Sequence, residues 1–168
     1  MPFFLLGHMG SGKTTLGQKT ARMMNVPFID LDELIEADTG MTINDLFEQK
    51  GEFFFRKTER SVLYNYPFKA NTIIATGGGT PCLYDNHNFM KNTGVTIYLK
   101  VSVSELANRL KFSNERPLLY NNTLNLNDFI IQNLHKREHN YSMSDYIIES
   151  DNASVDDIKN IIQMSHER

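Results

Sequence analysis

Cysteine is almost missing from this sequence, since Cys82 is the single one among 168 residues. One thiol excludes an intramolecular disulfide and any metal centre built on several cysteines. Basic excess is missing too. Lys and Arg total 17 against 20 Asp and Glu, a net charge of −3, so the electrostatic footprint of a nucleic-acid-binding protein is absent. No apolar run approaches the roughly 20 residues that span a bilayer, and no membrane partner is expected. The first apolar run starts almost at the first residue, so no signal peptide is expected and the chain reads as cytoplasmic. There is no internal repeat and no low-complexity linker. What is present is 40% hydrophobic and 22% charged residues, the balance of a folded globular protein. That length suits one domain, 1–168, with a sizeable core.

The most informative stretch is Gly7-His8-Met9-Gly10-Ser11-Gly12-Lys13-Thr14, which fits the phosphate-binding pattern G-x-x-x-x-G-K-[ST]. Its context agrees with a mechanism. Phe3-Phe4-Leu5-Leu6 before it has the character of a buried strand. Residues 15–24 after it place Leu16, Ala21, Met23 and Met24 on a helix. Gly7, Gly10 and Gly12 allow the sharp turns that aim consecutive N–H groups at one anion. The helix behind them adds its dipole and unpaired donors. Lys13 is expected to reach the outer phosphates, and Thr14 to ligate Mg²⁺ through its hydroxyl.

Strand and helix signals alternate along the rest of the chain. Strands are expected at 27–30, 72–76, 95–99 and 146–148. Helices are expected at 32–39, ended by Gly40, and at 52–66, closed by Pro67. A capping box at Thr42 to Asp45 opens a short helix that stops at Gly51. Further helices are expected at 104–110, after the polar segment 111–122, and after the cap at 154–157. Strands that are apolar throughout, spaced by helices, imply a five-stranded parallel sheet covered on both faces, a three-layer α/β/α fold. Ligands bind beyond the carboxyl ends of such strands. Residues 7–14, 30–32 and 77–79 should therefore meet in one crevice.

Several residues in these segments carry chemistry. Asp30 and Asp32 flank Leu31, and strand alternation would point both carboxylates the same way. Beside a Mg-nucleotide one could hold metal-bound water and the other orient a substrate hydroxyl; Asp32 reads equally as the N-cap of the next helix. Arg56 and Glu59 sit three apart next to Phe53, Phe54 and Phe55, which read as core. A guanidinium on such a buried face needs an anion, and its planar fork suits a carboxylate. Gly77-Gly78-Gly79 after a strand reads as backbone laid against a ligand, or as a plain turn. Arg116, in the polar segment 111–122, could serve a lid as an arginine finger, although a solvated loop is the default. Arg137 stands in the Lys136-Arg137-Glu138 cluster, where a solvated face is the default. His135 and His139 are one turn apart but lack an acidic third ligand for zinc.

Taken together these segments resemble one family, shikimate kinase. The resemblance covers nearly the whole chain. It runs through the loop from Gly7 to Thr15, the pair Asp30-Leu31-Asp32, Gly40-Met41-Thr42-Ile43 and Phe47. It continues in Gly51-Glu52, Phe55-Arg56 with Glu59, Gly77-Gly78-Gly79, Arg116-Pro117-Leu118-Leu119, and Arg137 with Tyr141. The family implies a P-loop fold like that of nucleoside monophosphate kinases, a core of 1–31, 72–110 and 124–168, a substrate-binding region at about 32–66 and a mobile lid at about 111–122. It implies transfer of the γ-phosphoryl of MgATP to the 3-hydroxyl of shikimate, by a monomer. Gly10, Ser11, Gly12, Lys13, Thr14 and Thr15 would hold the phosphates, with Thr14 and Asp30 around Mg²⁺. Asp32 would meet the acceptor hydroxyl, and Arg56 and Arg137 its carboxylate. Gly77, Gly78 and Gly79 would lie against the ring, Arg116 over the phosphates, and Arg109 and Asn152 beside the adenine.

Two departures stand out. His8 occupies a position where the family usually has an apolar or aromatic residue, and the lid lacks the extra basic residues of some relatives. Two other small-molecule kinase classes fit less well: nucleoside monophosphate kinases usually carry proline where this chain has Met9-Gly10, and gluconate kinases lack the triple glycine. A regulatory module without turnover is a third reading. It would normally have lost a catalytic side chain, yet Lys13, Thr14, Asp32, Arg56, Arg116 and Arg137 are all in place.

Overall fold

The computed structural model describes residues 1–111 and 125–166. Its five parallel strands are β1 (Phe3–Leu6), β2 (Phe28–Asp30), β3 (Ile73–Ala75), β4 (Val95–Lys100) and β5 (Tyr146–Glu149). They form one sheet in the order β2-β3-β1-β4-β5. The helices among the described residues are α1 (Lys13–Met24), α2 (Leu31–Thr39), α3 (Ile43–Asn65), α4 (Asn86–Thr93), α5 (Val103–Lys111), α6 (Leu126–Ser142) and α7 (Val155–His166). A 3₁₀ turn, Thr80–Cys82, follows β3.

The central strand explains why the sheet needs cover on both sides. Phe3 pairs with Ile73 on one flank and Val95 on the other, and all four β1 side chains are fully buried. Successive side chains leave opposite faces of a strand. Phe3 and Leu5 accordingly join Ala21 of α1 and Ile158 and Ile162 of α7. Phe4 and Leu6 join a second core with Ile35 of α2, Leu63 of α3, Met90 of α4 and Tyr141 of α6. Each such side chain contributes about 1.5–3 kcal/mol on burial. This is the three-layer α/β/α architecture expected from the continuous apolar strands. No helix among the described residues is long and apolar enough to cross a membrane.

Local signals set the element ends. Gly40 closes α2 in the left-handed conformation at φ 67°. Thr42 opens α3 by accepting from the Asp45 amide at 3.1 Å, while its hydroxyl donates to the Asp45 carboxylate at 2.7 Å. The expected break at Gly51 is there: its φ of 80° and ψ of 166° are non-helical, and two helical runs of α3 meet at a kink. Two expectations need correction. Helix α4 was not anticipated. Of the three phenylalanines read as core, only Phe55 is buried; Phe53 is 69% and Phe54 44% exposed. The inward stripe of α3 is Phe55, Glu59 and Leu63, spaced four apart as a helical face requires, and its middle member is a carboxylate.

Candidate active site

The loop leaving β1 is shaped by backbone. Gly7, Gly10 and Gly12 have φ of 145°, 80° and 94°, conformations that other residues rarely adopt. Gly12 is the N-cap of α1, so the first N–H groups of that helix open toward the loop. Lys13 is folded against the same loop. Its Nζ donates to the carbonyls of Gly7 at 2.8 Å and His8 at 3.0 Å, and reaches Ser11 Oγ at 3.5 Å. One buried cation thus ties the start of the loop to its middle. The His8 ring lies within the loop, its Nδ1 donating to the Met9 carbonyl at 2.8 Å.

The acidic pair divides two roles that the sequence left open. Asp30 is the N-cap of α2: its Oδ1 accepts from the Asp32 amide at 3.0 Å. Its Oδ2 accepts from the Thr14 hydroxyl at 2.7 Å. Asp32 is therefore not the cap, and its carboxylate lines the cleft. The strand also stops at Asp30, so the pair shares the entrance to a helix and not one face of an extended strand.

The three segments expected to converge do so. One cleft of about 540 Å³ is walled by Lys13 and Thr14, by Asp30 and Asp32, and by Gly77 and Gly78. It lies beyond the carboxyl ends of β1, β2 and β3, where strand order reverses around β1. Thr15 and Arg109 also line it.

Beyond Gly78 the wall is built from side chains. None of Gly77, Gly78 and Gly79 has a positive φ; what demands glycine there is close approach. A Cβ on Gly79 would lie 2.9 Å from Arg56 Nη2, and one on Gly77 would lie 3.0 Å from Glu59 Oε1. A Cβ on Gly78 would meet Arg137 Nη1 at 3.4 Å and the Gly7 carbonyl at 3.5 Å. The triplet is thus wedged between the phosphate loop and two arginines. Among the described residues, its three N–H groups donate to no protein acceptor.

Arg56 is held in place from several directions. Its Nη1 donates to Glu59 Oε2 at 3.0 Å and its Nε to Glu52 at 3.3 Å. The guanidinium carbon lies 4.9 Å from the Phe55 ring centroid and 5.9 Å from that of Phe47. Glu59 is fully buried and also accepts from Thr80 Oγ1 at 2.6 Å, as a buried charge must be paired. The anion that a guanidinium on this buried face needs is thus supplied in part by Glu59, as an internal ion pair. Glu59 and Thr80 were missed as parts of the site. Their signal was the stripe Phe55, Glu59, Leu63, in which a charged residue keeps company with core positions.

Arg56 and Arg137 converge on Cys82. Burial pushes its thiol up to about 11, against the lowering influence of Arg137 and Arg56. Arg137 is half-buried and not on the solvated face expected by default. One turn later, Tyr141 donates its phenol proton to the Gly78 carbonyl at 2.5 Å.

Arg109 closes the opposite end of the cleft. Its Nε pairs with Glu105 at 2.7 Å, its Nη1 donates to the Gly10 carbonyl at 3.2 Å and its Nη2 to the Asp151 carbonyl. Donors used in the plane leave the face of the guanidinium for stacking. Ala153 lines the cleft beside it, while Asn152 is exposed and donates its amide to Ser150 Oγ at 3.1 Å. Arg116 lies outside the described residues, as does the expected lid at 111–122 apart from Lys111. His135 and His139 are both exposed on α6, and among the described residues no three metal-ligating side chains gather.

Known proteins resemble this chain in sequence and fold. The family model described as Shikimate kinase matches residues 9–166. A shikimate kinase of Bacteroides thetaiotaomicron is 47% identical over 150 residues, covering 88% of this chain and 86% of that protein. The crystal structure of a shikimate kinase from that organism aligns with a TM-score of 0.88 at 41% identity, covering 100% of this chain and 99% of the other. A shikimate kinase from Acinetobacter baumannii, solved in complex with shikimate, aligns with a TM-score of 0.87 at 33% identity, covering 99% and 93%. With a match that spans nearly all of its length, this chain belongs to the shikimate kinase family.

Proposed function

We propose that this chain, by family an ATP-dependent phosphotransferase with an alcohol acceptor, moves the γ-phosphoryl of MgATP to the 3-hydroxyl of shikimate, giving shikimate 3-phosphate and ADP. One observation carries the division of labour. The phosphate loop, the Asp30–Asp32 pair and Gly77–Gly78 wall a single cleft, with Arg137 beside Gly78 and Arg56 beside the next glycine, Gly79.

Phosphoryl transfer asks mainly for positioning and charge neutralisation. The amides of Gly10, Ser11, Gly12, Thr14 and Thr15 and the Lys13 ammonium supply donors to the phosphates. Arg109 offers a guanidinium face to the adenine, and the Asn152–Ala153 turn borders it. Asp32, free of capping duty, orients the acceptor hydroxyl and takes its proton as the bond to phosphorus forms. Arg56 and Arg137 bind the acceptor carboxylate, which favours an acidic polyol over a neutral sugar. The unengaged amides of Gly77, Gly78 and Gly79 face ring hydroxyls.

The donor set suits Mg²⁺. Thr14 Oγ1 and Asp30 Oδ2 are hard oxygens only 2.7 Å apart, and Mg²⁺ takes few protein ligands beside water and phosphate oxygens. Thr14 and Asp30 would hold it. When bound, the ion offsets negative charge on the β- and γ-phosphate oxygens.

The same reading takes the chain as a cytoplasmic monomer in the route to aromatic amino acids, with no nucleic-acid partner. It takes residues 32–66 as the acceptor-binding region. The test is ADP release from purified protein and MgATP with shikimate, gluconate or nucleoside monophosphates as acceptor. Release with shikimate alone is expected. Release with another acceptor and none with shikimate overturns the assignment.

A further inference from the structure

The three amides of the glycine triplet can meet a ligand in fixed register only if something holds the backbone. Glycine has more conformational freedom than any other residue, and Gly77-Gly78-Gly79 has no side chains to anchor it. Among the described residues its side-chain tether comes from α6. Tyr141 is fully buried and donates to the Gly78 carbonyl at 2.5 Å. In a trans peptide a carbonyl and the following N–H point in opposite directions. Drawing the Gly78 carbonyl toward α6 therefore turns the Gly79 N–H away from that helix.

The tether is itself braced. The Tyr141 ring packs on Tyr98 of β4, with centroids 4.9 Å apart and planes at 32°. That ring packing is the brace; the Tyr98 hydroxyl makes a separate bond, donating to Glu138 Oε2 at 2.8 Å, which does not reach the triplet. Arg137 adds the third connection. A Cβ on Gly78 would meet its Nη1 at 3.4 Å, so the guanidinium stands beside the tethered glycine; burial raises the Tyr141 phenol above its ordinary range, and the Arg137 charge works against that rise. The phenol thus stays protonated at neutral pH and remains a donor.

We propose that Tyr141 is a positioning residue for the acceptor site, holding the Gly78 carbonyl so that the triplet amides keep their spacing from the Arg137 guanidinium beside Gly78. This rests on the acceptor reading given under Proposed function. It assigns to the buried phenol a task that packing alone does not require. A phenylalanine there would fill the same volume.

Tyr141→Phe removes only the hydroxyl. The expected result is a KM for shikimate raised about tenfold, the ratio that corresponds to roughly 1.4 kcal/mol, with the KM for ATP unchanged within about twofold. The ¹H–¹⁵N resonances of Gly78 and Gly79 should shift in the unliganded protein. Tyr98→Phe is the control, because it deletes a buried hydroxyl bound to the same helix but not to the triplet. It should leave the shikimate KM and the Gly79 resonance in place. An unchanged Gly79 resonance in Tyr141→Phe overturns the proposal. So does an equal rise in KM from Tyr98→Phe, which would make the effect one of helix packing. A shifted Gly79 resonance with an unchanged shikimate KM overturns the acceptor reading of the triplet instead, which keeps the two failures apart.

Discussion

The two ends of the cleft are made of different material. The phosphate-loop end is backbone: three glycines at positive φ, a helix N-terminus, and one lysine bonded to the loop's own carbonyls. The acceptor end is side chains from distant segments: Arg56 and Glu59 from α3, Thr80 after β3, Arg137 and Tyr141 from α6. Gly78 is the boundary, close to the Gly7 carbonyl on one side and Arg137 on the other. The difference teaches where each half is vulnerable. A backbone cradle survives most single substitutions except at its glycines and its lysine. A side-chain lattice transmits each deletion to its neighbours.

The largest expected effect is in the backbone half. Lys13→Ala removes the ammonium held by the loop's own carbonyls, and kcat should fall on the order of 10³-fold, as when a preorganised charge donor is lost. Shikimate binding, followed by equilibrium titration without nucleotide, should be unchanged. If shikimate affinity fell as steeply as kcat, the two halves would be one unit and the comparison would fail. Asp32→Asn comes next, at about 10²-fold in kcat from loss of the group facing the acceptor hydroxyl. Because Asp30 does the capping, the melting temperature should not move. A lowered melting temperature with normal turnover would return Asp32 to a structural role.

The same contrast decides what was legible in the sequence. The backbone half is contiguous, so the glycines, Lys13 and Thr14 could be read as one pattern with its strand and helix. The sheet was legible for a similar reason, since continuous apolar strands separated by helices permit few architectures. The acceptor half is scattered, and its logic is pairwise. Glu59 does not declare its burial, because charge alone suggests exposure, whereas its neighbours on the stripe, Phe55 and Leu63, are buried. Phe53 and Phe54 looked like core because three aromatics in a row outweigh helical geometry, which can turn only one of them inward. Whether Asp32 caps the next helix stays open in the sequence, because two Asp residues two apart are indistinguishable until the last strand residue is known. Helix α4 gave no signal: Asn86-His87-Asn88 are weak helix formers, and Asp85 makes no capping hydrogen bond. It forms because Met90 is buried and Phe89 stacks on Tyr64 at 4.1 Å.

Arg56→Ala tests the lattice directly. Losing a charge-assisted contact to the acceptor carboxylate should raise the shikimate KM by roughly 30-fold, with the KM for ATP unchanged within about twofold. Unlike Lys13→Ala, it should also destabilise the fold, by about 3 kcal/mol, because Glu59 is left buried without its cation. Denaturant titration measures that loss. Arg56→Ala combined with Glu59→Gln should recover part of it while the KM stays high. Equal losses toward ATP and shikimate would refute the carboxylate assignment, and undiminished stability would refute the lattice.

The smallest effect expected is a pH dependence confined to the acceptor half. His87 of α4 is 5% exposed, and both its ring nitrogens are buried without a hydrogen-bond partner. Burial, then the Lys91 charge one turn along α4, lowers its pKa from 6.5, while Asp145 beside β5 opposes them. Lys91 and Asp145 are themselves paired at 3.1 Å. A lowered folded pKa means that the neutral ring is the one that fits, so this stability is fully present above pH 6.5 and declines as the pH falls from there toward the folded value. The neighbouring Asn86 donates to the Thr80 carbonyl at 2.9 Å, and Thr80 holds Glu59. Acid should therefore loosen the acceptor side before the phosphate loop. Below pH 6.5 the melting temperature should decline and the shikimate KM should rise ahead of the ATP KM, and His87→Leu should flatten both trends. An ATP KM that rose first would place the acid-sensitive contacts in the backbone half and reverse the contrast.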